Sequence, residues 1–557
     1  MIRTVLHKNR NYNLPNKQEY EKWERLQILG TFAGTIAGIS GIKIYTKKNH
    51  PFTFVSVKHK TRIIKFKSDI MKTLIQHQHA NVIPFPYDRS CITTGIVHIG
   101  VGNFHRAHEE YYTNQLLSDP SQQKWGICGI ALLAGDKSLY SALKQQDNLY
   151  TLTVCGRDNR DIAYEIGSLK ELIWGMENPD AVIHKIAHPE IKIITLTITE
   201  GGYNIDKASG NFILETPAVQ HDLKNPDTPQ TVFGFVAAGL RKRMKAHQGP
   251  VTILSCDNLQ HNGNTARKAF CSFIAAQDSE LADWVNTNVT FPNSMVDRIT
   301  PAVTPADIER LNRHNGVEDA APVYCEDFIQ WVIEDNFIAG RPDWEKVGVE
   351  FTTDVSAYEN MKLSLLNASH SMLAYPAFLA GYRKVDDAVH DKRFARYLQQ
   401  FMDTDITPYV PAPGHTDLTQ YKQTLLERFG NRSVSDQLSR LCSDGASKIP
   451  VYIMPNLIQM IRDKADLRRV SFFTAAYRHY LKYQQDDKGN IYEVNDPWLT
   501  ETDWIQIQEE NPLAFLALSP FKSIPLQRDE GFVTNYLQLV SALKEKGVVE
   551  MLETILQ

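Results

Sequence analysis

Nothing in this chain restricts its fold more than the stretch from Cys91 to Leu117. Cys91–Ile99 reads CITTGIVHI, a short buried run of strand length. Gly100-Val101-Gly102 follows at once, and Phe104–Leu117 then carries apolar and aromatic residues at helical spacing. Strand, G-x-G turn and helix, in that order, open a Rossmann unit. There the glycines let backbone approach a pyrophosphate, and the helix N-terminus offers N–H groups and positive potential. The third glycine of the full G-x-G-x-x-G pattern is missing; His105 holds that position. A two-glycine match alone is weak and fits an ordinary tight turn better.

The residues that follow extend the pattern. Trp125–Leu133 reads as a second strand, with Gly135-Asp136 at its end. A carboxylate there accepts from the adenosine ribose hydroxyls and repels a 2′-phosphate, so the expected cofactor is NAD rather than NADP. Asp136 could equally cap the helix that starts near Lys137. Ile191–Ile198 and Pro250–Ser255 are further apolar runs, and helical stretches separate them. This alternation is that of an α/β sheet, in which ligands sit beyond the C-terminal strand ends. Thr199, Glu200 and Asn258 stand there, either touching a ligand or satisfying local turns.

From about Asp354 the pattern turns helical, with Pro and Gly breaks at Pro376, Pro411–Gly414 and Gly445. On an α-helix, Glu359, Lys362, Asn367 and His370 fall within an arc of about 140°, shared with Leu363 and Leu366. A mixed stripe of this kind suits the wall of a partly dry cleft. A buried lysine loses proton affinity and can act as a base. An amide and an imidazole can hold hydroxyls and steady charge developing on oxygen. The same residue types also furnish an ordinary solvated helix face.

Charge is distributed unevenly. Residues 1–90 hold 16 Lys and Arg against 5 Asp and Glu, whereas the whole chain has a net charge of −4. That net charge recruits no nucleic acid. Leu26–Ile42 is free of charge and spaces Gly30, Gly34 and Gly38 four apart, as in a helix that packs within a membrane. It is short for a span and diluted by Gly, Thr and Ser. Membrane contact through residues 26–48 is therefore the less favoured expectation. The alternatives are a basic extension or an over-long gene model. The seven cysteines are Cys91, Cys128, Cys155, Cys256, Cys271, Cys325 and Cys442. They are scattered and form no C-x-x-C pair, which argues for a reducing, cytoplasmic setting.

Five segments resemble a known family. They are GIVHIGVGNFHRAHE (95–109), TLTITEGGY (195–203), SCDNLQHNG (255–263), FPNSMVDRITP (291–301) and YENMKLSLLNASH (358–370). In this order they are similar to the polyol-specific long-chain dehydrogenases, and in particular to the mannitol dehydrogenases. The resemblance implies a basic N-terminal extension (1–75), a Rossmann-type NAD-binding domain (80–350) and a mostly α-helical substrate domain (351–557), with the active site in the cleft between the last two. It implies metal-independent, NAD-linked oxidation of a polyol at C2, D-mannitol to D-fructose and back, by a monomer.

Residue by residue, the resemblance makes Lys362 the general base, with Asn258, Asn367 and His370 holding the reacting and neighbouring oxygens and Glu359 relaying the proton. Asp297, Arg440 and Lys448 become substrate contacts. The cofactor contacts become Ile99, Gly100, Val101, Gly102, Asn103, Phe104, His105, Arg106, Asp136, Thr199 and Glu200. Within the class, the alternatives are arabinitol or sorbitol oxidation and the reduction of fructuronate or tagaturonate. Outside it stands a non-catalytic NAD-binding protein, against which the joint presence of Asn258, Lys362, Asn367 and His370 speaks.

Overall fold

The glycine turn sits at the centre of a parallel sheet. Its strands are β1 (Thr94–Ile99), β2 (Gly126–Ala131), β3 (Leu169–Trp174), β4 (Ile193–Leu196), β5 (Val251–Ser255) and β6 (Val289–Thr290). They lie in the order β3-β2-β1-β4-β5-β6, every neighbour parallel. This is the doubly wound dinucleotide-binding order, whose chain reversal at β1 and β4 opens a crevice at the C-terminal strand ends. Alternation along β1 explains why all of it is buried: Val97 and Ile99 pack into the core on one face, and Ile96 into the core on the other.

The computed structural model describes residues 81–557, except 207, 208 and 415. The expected extension over 1–75, with its candidate membrane segment at 26–42, lies outside the described residues. Among the described residues no helix is long and apolar enough to cross a membrane. Ala80–Gln557 forms one compact unit.

Two smaller sheets flank the first. Ser294–Asp297 pairs with Gln330–Glu334, which pairs with Glu350–Thr352. Tyr150–Cys155 lies between Ile162–Ile166 and Val323–Glu326. Beyond Ser356 the chain is helical and carries its own core, centred on Met372, Leu373, Phe394, Leu398, Phe472 and Phe532.

Several element limits differ from the sequence expectation, each for a local reason. The first strand begins at Thr94 instead of Cys91, because Asp88 accepts the Ser90 N–H at 2.8 Å and winds Arg89–Cys91 into a 3-10 turn. The expected Phe104–Leu117 helix is two helices, α1 (Asn103–Ala107) and α2 (Glu109–Leu116). They break at buried His108, whose Nε2 lies 3.0 Å from the Gln330 carbonyl. β4 stops at Leu196: the Thr197 amide still reaches the Ile99 carbonyl at 3.0 Å, but Asp257 takes those of Ile198 and Thr199, at 3.1 and 2.8 Å.

Candidate active site

Lys362 opens a turn of π-helix. The segment runs as α3 (Ser356–Met361), a π turn over Lys362–Asn367, and α4 (Ala368–Leu379). An uninterrupted α-helix would leave Lys362 and Asn367 about 140° apart. A π turn carries more residues per turn, so the two side chains come nearer to one face. Such bulges recur at functional sites.

The Lys362 amine is buried and held by two acceptors. It donates to Asn258 Oδ1 and, at 2.7 Å, to the carbonyl of Val296. Burial pulls its proton affinity below the ordinary lysine value; Asp297 works against this and Arg428 with it. With the amine donating to the amide oxygen of Asn258, Asn258 Nδ2 points the other way, donating at 3.4 Å to the Tyr452 hydroxyl.

Two polar atoms of the same cleft, Asn367 Oδ1 and His370 Nε2, are buried without a hydrogen-bond partner. An unmet group of this kind costs about 1–3 kcal/mol unless a water or a ligand meets it. His370 stacks on Phe429 with ring centroids 4.2 Å apart, and burial pushes its pKa down to about 3. The imidazole is therefore neutral and keeps one accepting nitrogen.

These residues line a cleft of about 450 Å³. Its walls bring Gly100, Gly102, Asn103 and Phe104 of the glycine turn, and Thr199 and Glu200 beyond β4, together with Asn258, Asp297, Lys362, Asn367, His370 and Arg440. Thr199 adopts φ 66°, ψ 166°, a conformation nearly exclusive to glycine, and Asp257 holds it there through the two amide bonds. A β-branched residue in that region is strained, and strain of this order persists where a site depends on it.

Glu359 is also buried. Burial raises its carboxyl above the usual range, although it accepts the His261 N–H at 3.0 Å. Between it and Lys362 lies a small cavity of about 10 Å³, bordered also by Asn258 and Val296. That is roughly the room one water needs.

The glycine turn has the shape that a dinucleotide's pyrophosphate needs. Gly100 has φ +104°, and a Cβ there would lie 2.0 Å from the Thr197 carbonyl oxygen. Gly102 is different: a Cβ would meet nothing closer than 3.8 Å. Its backbone does not need glycine, so the space above it is what the missing side chain keeps open. The residues present fit the group.

Other expected contacts are placed differently. Arg106 does not reach the cleft. Its buried guanidinium donates to the Ala321 carbonyl at 2.5 Å, to Asn103 Oδ1 at 2.8 Å and to the Gly102 carbonyl at 3.3 Å, bracing the turn from beneath. The Ile99 and Val101 side chains face the core, so only their backbone is available. His105 borders the cleft but is almost wholly buried. Asp136 lies beyond the end of β2, where its carboxylate accepts the Leu133 N–H at 3.0 Å.

Lys448 does not line the cleft either: its amine caps the carbonyls of Ser443, Leu441 and Arg440 at 2.6, 3.4 and 3.4 Å. Arg440 lines the cleft while paired with Asp436. Asp297 reaches the wall with each oxygen accepting from Arg428, at 3.0 and 2.8 Å, which fixes the carboxylate and leaves its remaining lone pairs for the cleft. Sequence reasoning missed Val296, Arg428 and Tyr452. A main-chain carbonyl has no sequence signature, and the other two come from helices with no motif of their own.

His98, His105 and Glu109 bring potential ligand atoms within 4.8 Å of one another. The two rings, however, stack at 3.3 Å with planes 9° apart. An ion lies in the plane of each imidazole it binds, and parallel planes this far apart share no such point. The cluster supports the turn instead: His98 Nε2 lies 2.9 Å from Thr197 Oγ1, which donates to the Gly100 carbonyl at 2.7 Å.

Comparison with known proteins gives a consistent picture. Residues 94–346 match the model of the mannitol dehydrogenase Rossmann domain, and residues 354–544 that of the mannitol dehydrogenase C-terminal domain. A polyol:NADP oxidoreductase of Gluconobacter oxydans is 40% identical over 86% of this chain and 99% of its own length. A mannitol 2-dehydrogenase of Aspergillus fumigatus is 39% identical over 83% of this chain and 93% of its own. Among solved structures, a ternary complex of Pseudomonas fluorescens mannitol 2-dehydrogenase with NAD and D-mannitol aligns with TM-score 0.78 and 42% identity, covering 86% of this chain and 97% of that one. A substrate-free D-sorbitol dehydrogenase aligns with TM-score 0.79 and 41% identity, covering 85% and 98%.

Proposed function

We propose the following reaction for this chain, which belongs to the mannitol dehydrogenase family: reversible, NAD-dependent oxidation of a hexitol at C2, D-mannitol to D-fructose, with Lys362 as general base. The chain is an oxidoreductase acting on CH–OH. The observation that carries the finer reading is the way Lys362 is held. Two of its N–H groups are committed to Asn258 Oδ1 and the Val296 carbonyl. In the neutral amine only the lone pair remains, and it takes the carbinol proton. Asn258 Nδ2 donates to the oxygen that loses this proton. Asn367 Oδ1 and His370 Nε2, unmet otherwise, accept from the polyol hydroxyls.

A nicotinamide dinucleotide held there would supply the hydride acceptor for the carbinol carbon, and the hydride donor for the reverse reaction. Gly100, Gly102, Asn103, Phe104, Thr199 and Asp136 are the residues that would hold it. The proton leaves Lys362 through a single water in the small cavity toward Glu359, whose raised carboxyl suits a relay.

The test is NADH formation against a panel of mannitol, sorbitol and arabinitol. Mannitol is expected to give the highest kcat/KM; equal or better turnover of sorbitol moves the assignment to that polyol. NADH formation from none of the three sinks the reading.

The pH dependence has a definite sign. Oxidation needs the neutral amine, so kcat/KM rises with pH through the Lys362 pKa. Reduction needs the ammonium and falls over the same range. Because burial lowers that pKa, the crossing is expected below the ordinary lysine value of about 10.4. A limb at or above that value would contradict the buried-base reading.

Asp136 is proposed to set the preference for NAD. Asp136→Ala removes the carboxylate that would face a 2′-phosphate. The ratio of kcat/KM for NADP to that for NAD is expected to rise about tenfold or more. An unchanged ratio would leave Asp136 as a cap alone.

A further inference from the structure

Arg428 belongs to none of the motifs that identify the site, and it does not border the cleft. It is nevertheless completely buried and joins the two halves of the molecule beside the base. It comes from the helix Leu418–Phe429 of the helical half. Nη1 and Nη2 donate to Asp297 Oδ2 and Oδ1 at 3.0 and 2.8 Å. Nε and Nη2 donate to Glu326 Oε2 and Oε1 at 2.8 and 2.7 Å. The Phe328 ring lies 4.0 Å from the guanidinium carbon. Glu326 in turn accepts the Ile299 N–H at 2.5 Å, and its own N–H donates to the Ile299 carbonyl at 3.0 Å. One guanidinium thus pins the short segment from Val296 to Ile299 at both ends. That segment supplies the Val296 carbonyl that holds Lys362 and the Asp297 carboxylate of the cleft wall.

We propose that Arg428 is a positioning residue for the oxidation: it keeps Asp297 and the Val296 carbonyl in register with the Lys362 amine and balances the charge which that amine meets. The proposal rests on the reading of Lys362 as the base.

The charge balance has a sign. Burial lowers the proton affinity of the amine. Asp297 from its strand, Glu359 from α3 and Glu200 beyond β4 raise it, while Arg428 lowers it. His108, between α1 and α2, also interacts with Lys362, and burial holds its imidazole neutral with a pKa of about 3. Glu326 competes with Asp297 for Arg428. Removing the charge of Glu326 leaves the guanidinium to Asp297 alone and makes the surroundings of Lys362 more positive. Replacing Arg428 by lysine keeps the charge but cannot span two carboxylates with a planar fork, so Asp297 is no longer fixed.

The experiment uses the full chain with mannitol and saturating NAD. Profiles of kcat and kcat/KM against pH are measured for the wild type, Glu326→Gln and Arg428→Lys. NADH titration by fluorescence and thermal melting report on the fold. For Glu326→Gln the rising limb of kcat/KM is expected to move to lower pH by about half a unit or more. NADH affinity should stay within about twofold. For Arg428→Lys the KM for mannitol is expected to rise about tenfold or more, with kcat at the optimum much less affected. A limb that stays or moves upward in folded Glu326→Gln overturns the proposal, as does an unchanged KM in folded Arg428→Lys. Each variant decides alone if the other fails to fold. A different failure is also visible: if the wild type has no rising limb, or Lys362→Ala turns over normally, the assignment of the base falls.

Discussion

Lys362→Ala is expected to lower kcat for mannitol oxidation by about 10³-fold or more, with NADH binding within a fewfold of wild type. The separation of effects follows from geometry. Proton transfer by a positioned side chain contributes about 10²–10⁴-fold, and among the described residues no other lysine borders the cleft. Truncation also leaves Asn258 Oδ1 without its donor and frees the amide that orients toward the reacting oxygen. The loss should therefore exceed that of a proton shuttle alone. The glycine turn is untouched. Stopped-flow kinetics with fluorescence-detected NADH binding measures both quantities; wild-type-like turnover with intact binding would remove Lys362 from the mechanism.

Gly100→Ala and Gly102→Ala are expected to fail in different ways. Alanine at Gly100 must hold φ near +104° and place its Cβ 2.0 Å from the Thr197 carbonyl oxygen, an overlap that only movement of β1 or the β4 end relieves. NADH affinity is expected to fall about a hundredfold or more, and the melting temperature to fall by several degrees. Alanine at Gly102 meets nothing within the protein closer than 3.8 Å. Its melting temperature should match the wild type while NADH affinity still falls, because the lost space is that of the ligand. Calorimetry and NADH titration on both variants decide. Unchanged affinity in Gly102→Ala would show that no dinucleotide approaches the turn there.

The contrast between the two glycines marks the limit of what was legible beforehand. Strand, turn and helix from Cys91 to Leu117 pointed correctly to a dinucleotide-type sheet, because periodicity and glycine spacing are local properties. The helix break at His108 was invisible, since its cause is the carbonyl of Gln330. The stripe Glu359, Lys362, Asn367, His370 was drawn at 100° per residue, but the chain widens into a π turn at Lys362–Asn367. Lys362, Asn367 and His370 do line one cleft, but not at the angles an α-helix gives. Arg106 and Lys448 were expected at ligands on the strength of charge and motif. Both spend their donors on nearby oxygens, almost all of them main-chain carbonyls. A sequence records that a cation is present, not which acceptors have already taken it.

Lys362, the glycine turn and the polar ends of β4 and β5 were therefore readable from order and spacing along the chain. Their chemistry was not. The lowered proton affinity of Lys362, the unmet atoms of Asn367 and His370, and the capture of Asp297 by Arg428 arise only when two halves of the molecule close over one another and exclude water. Burial and pairing act through space at distances of a few ångströms, between residues such as Asp297 and Arg428 that stand 131 positions apart. Propensity and periodicity carry no information about such pairs, so the tertiary structure alone decided which of the legible residues are buried without a partner and which are already paired.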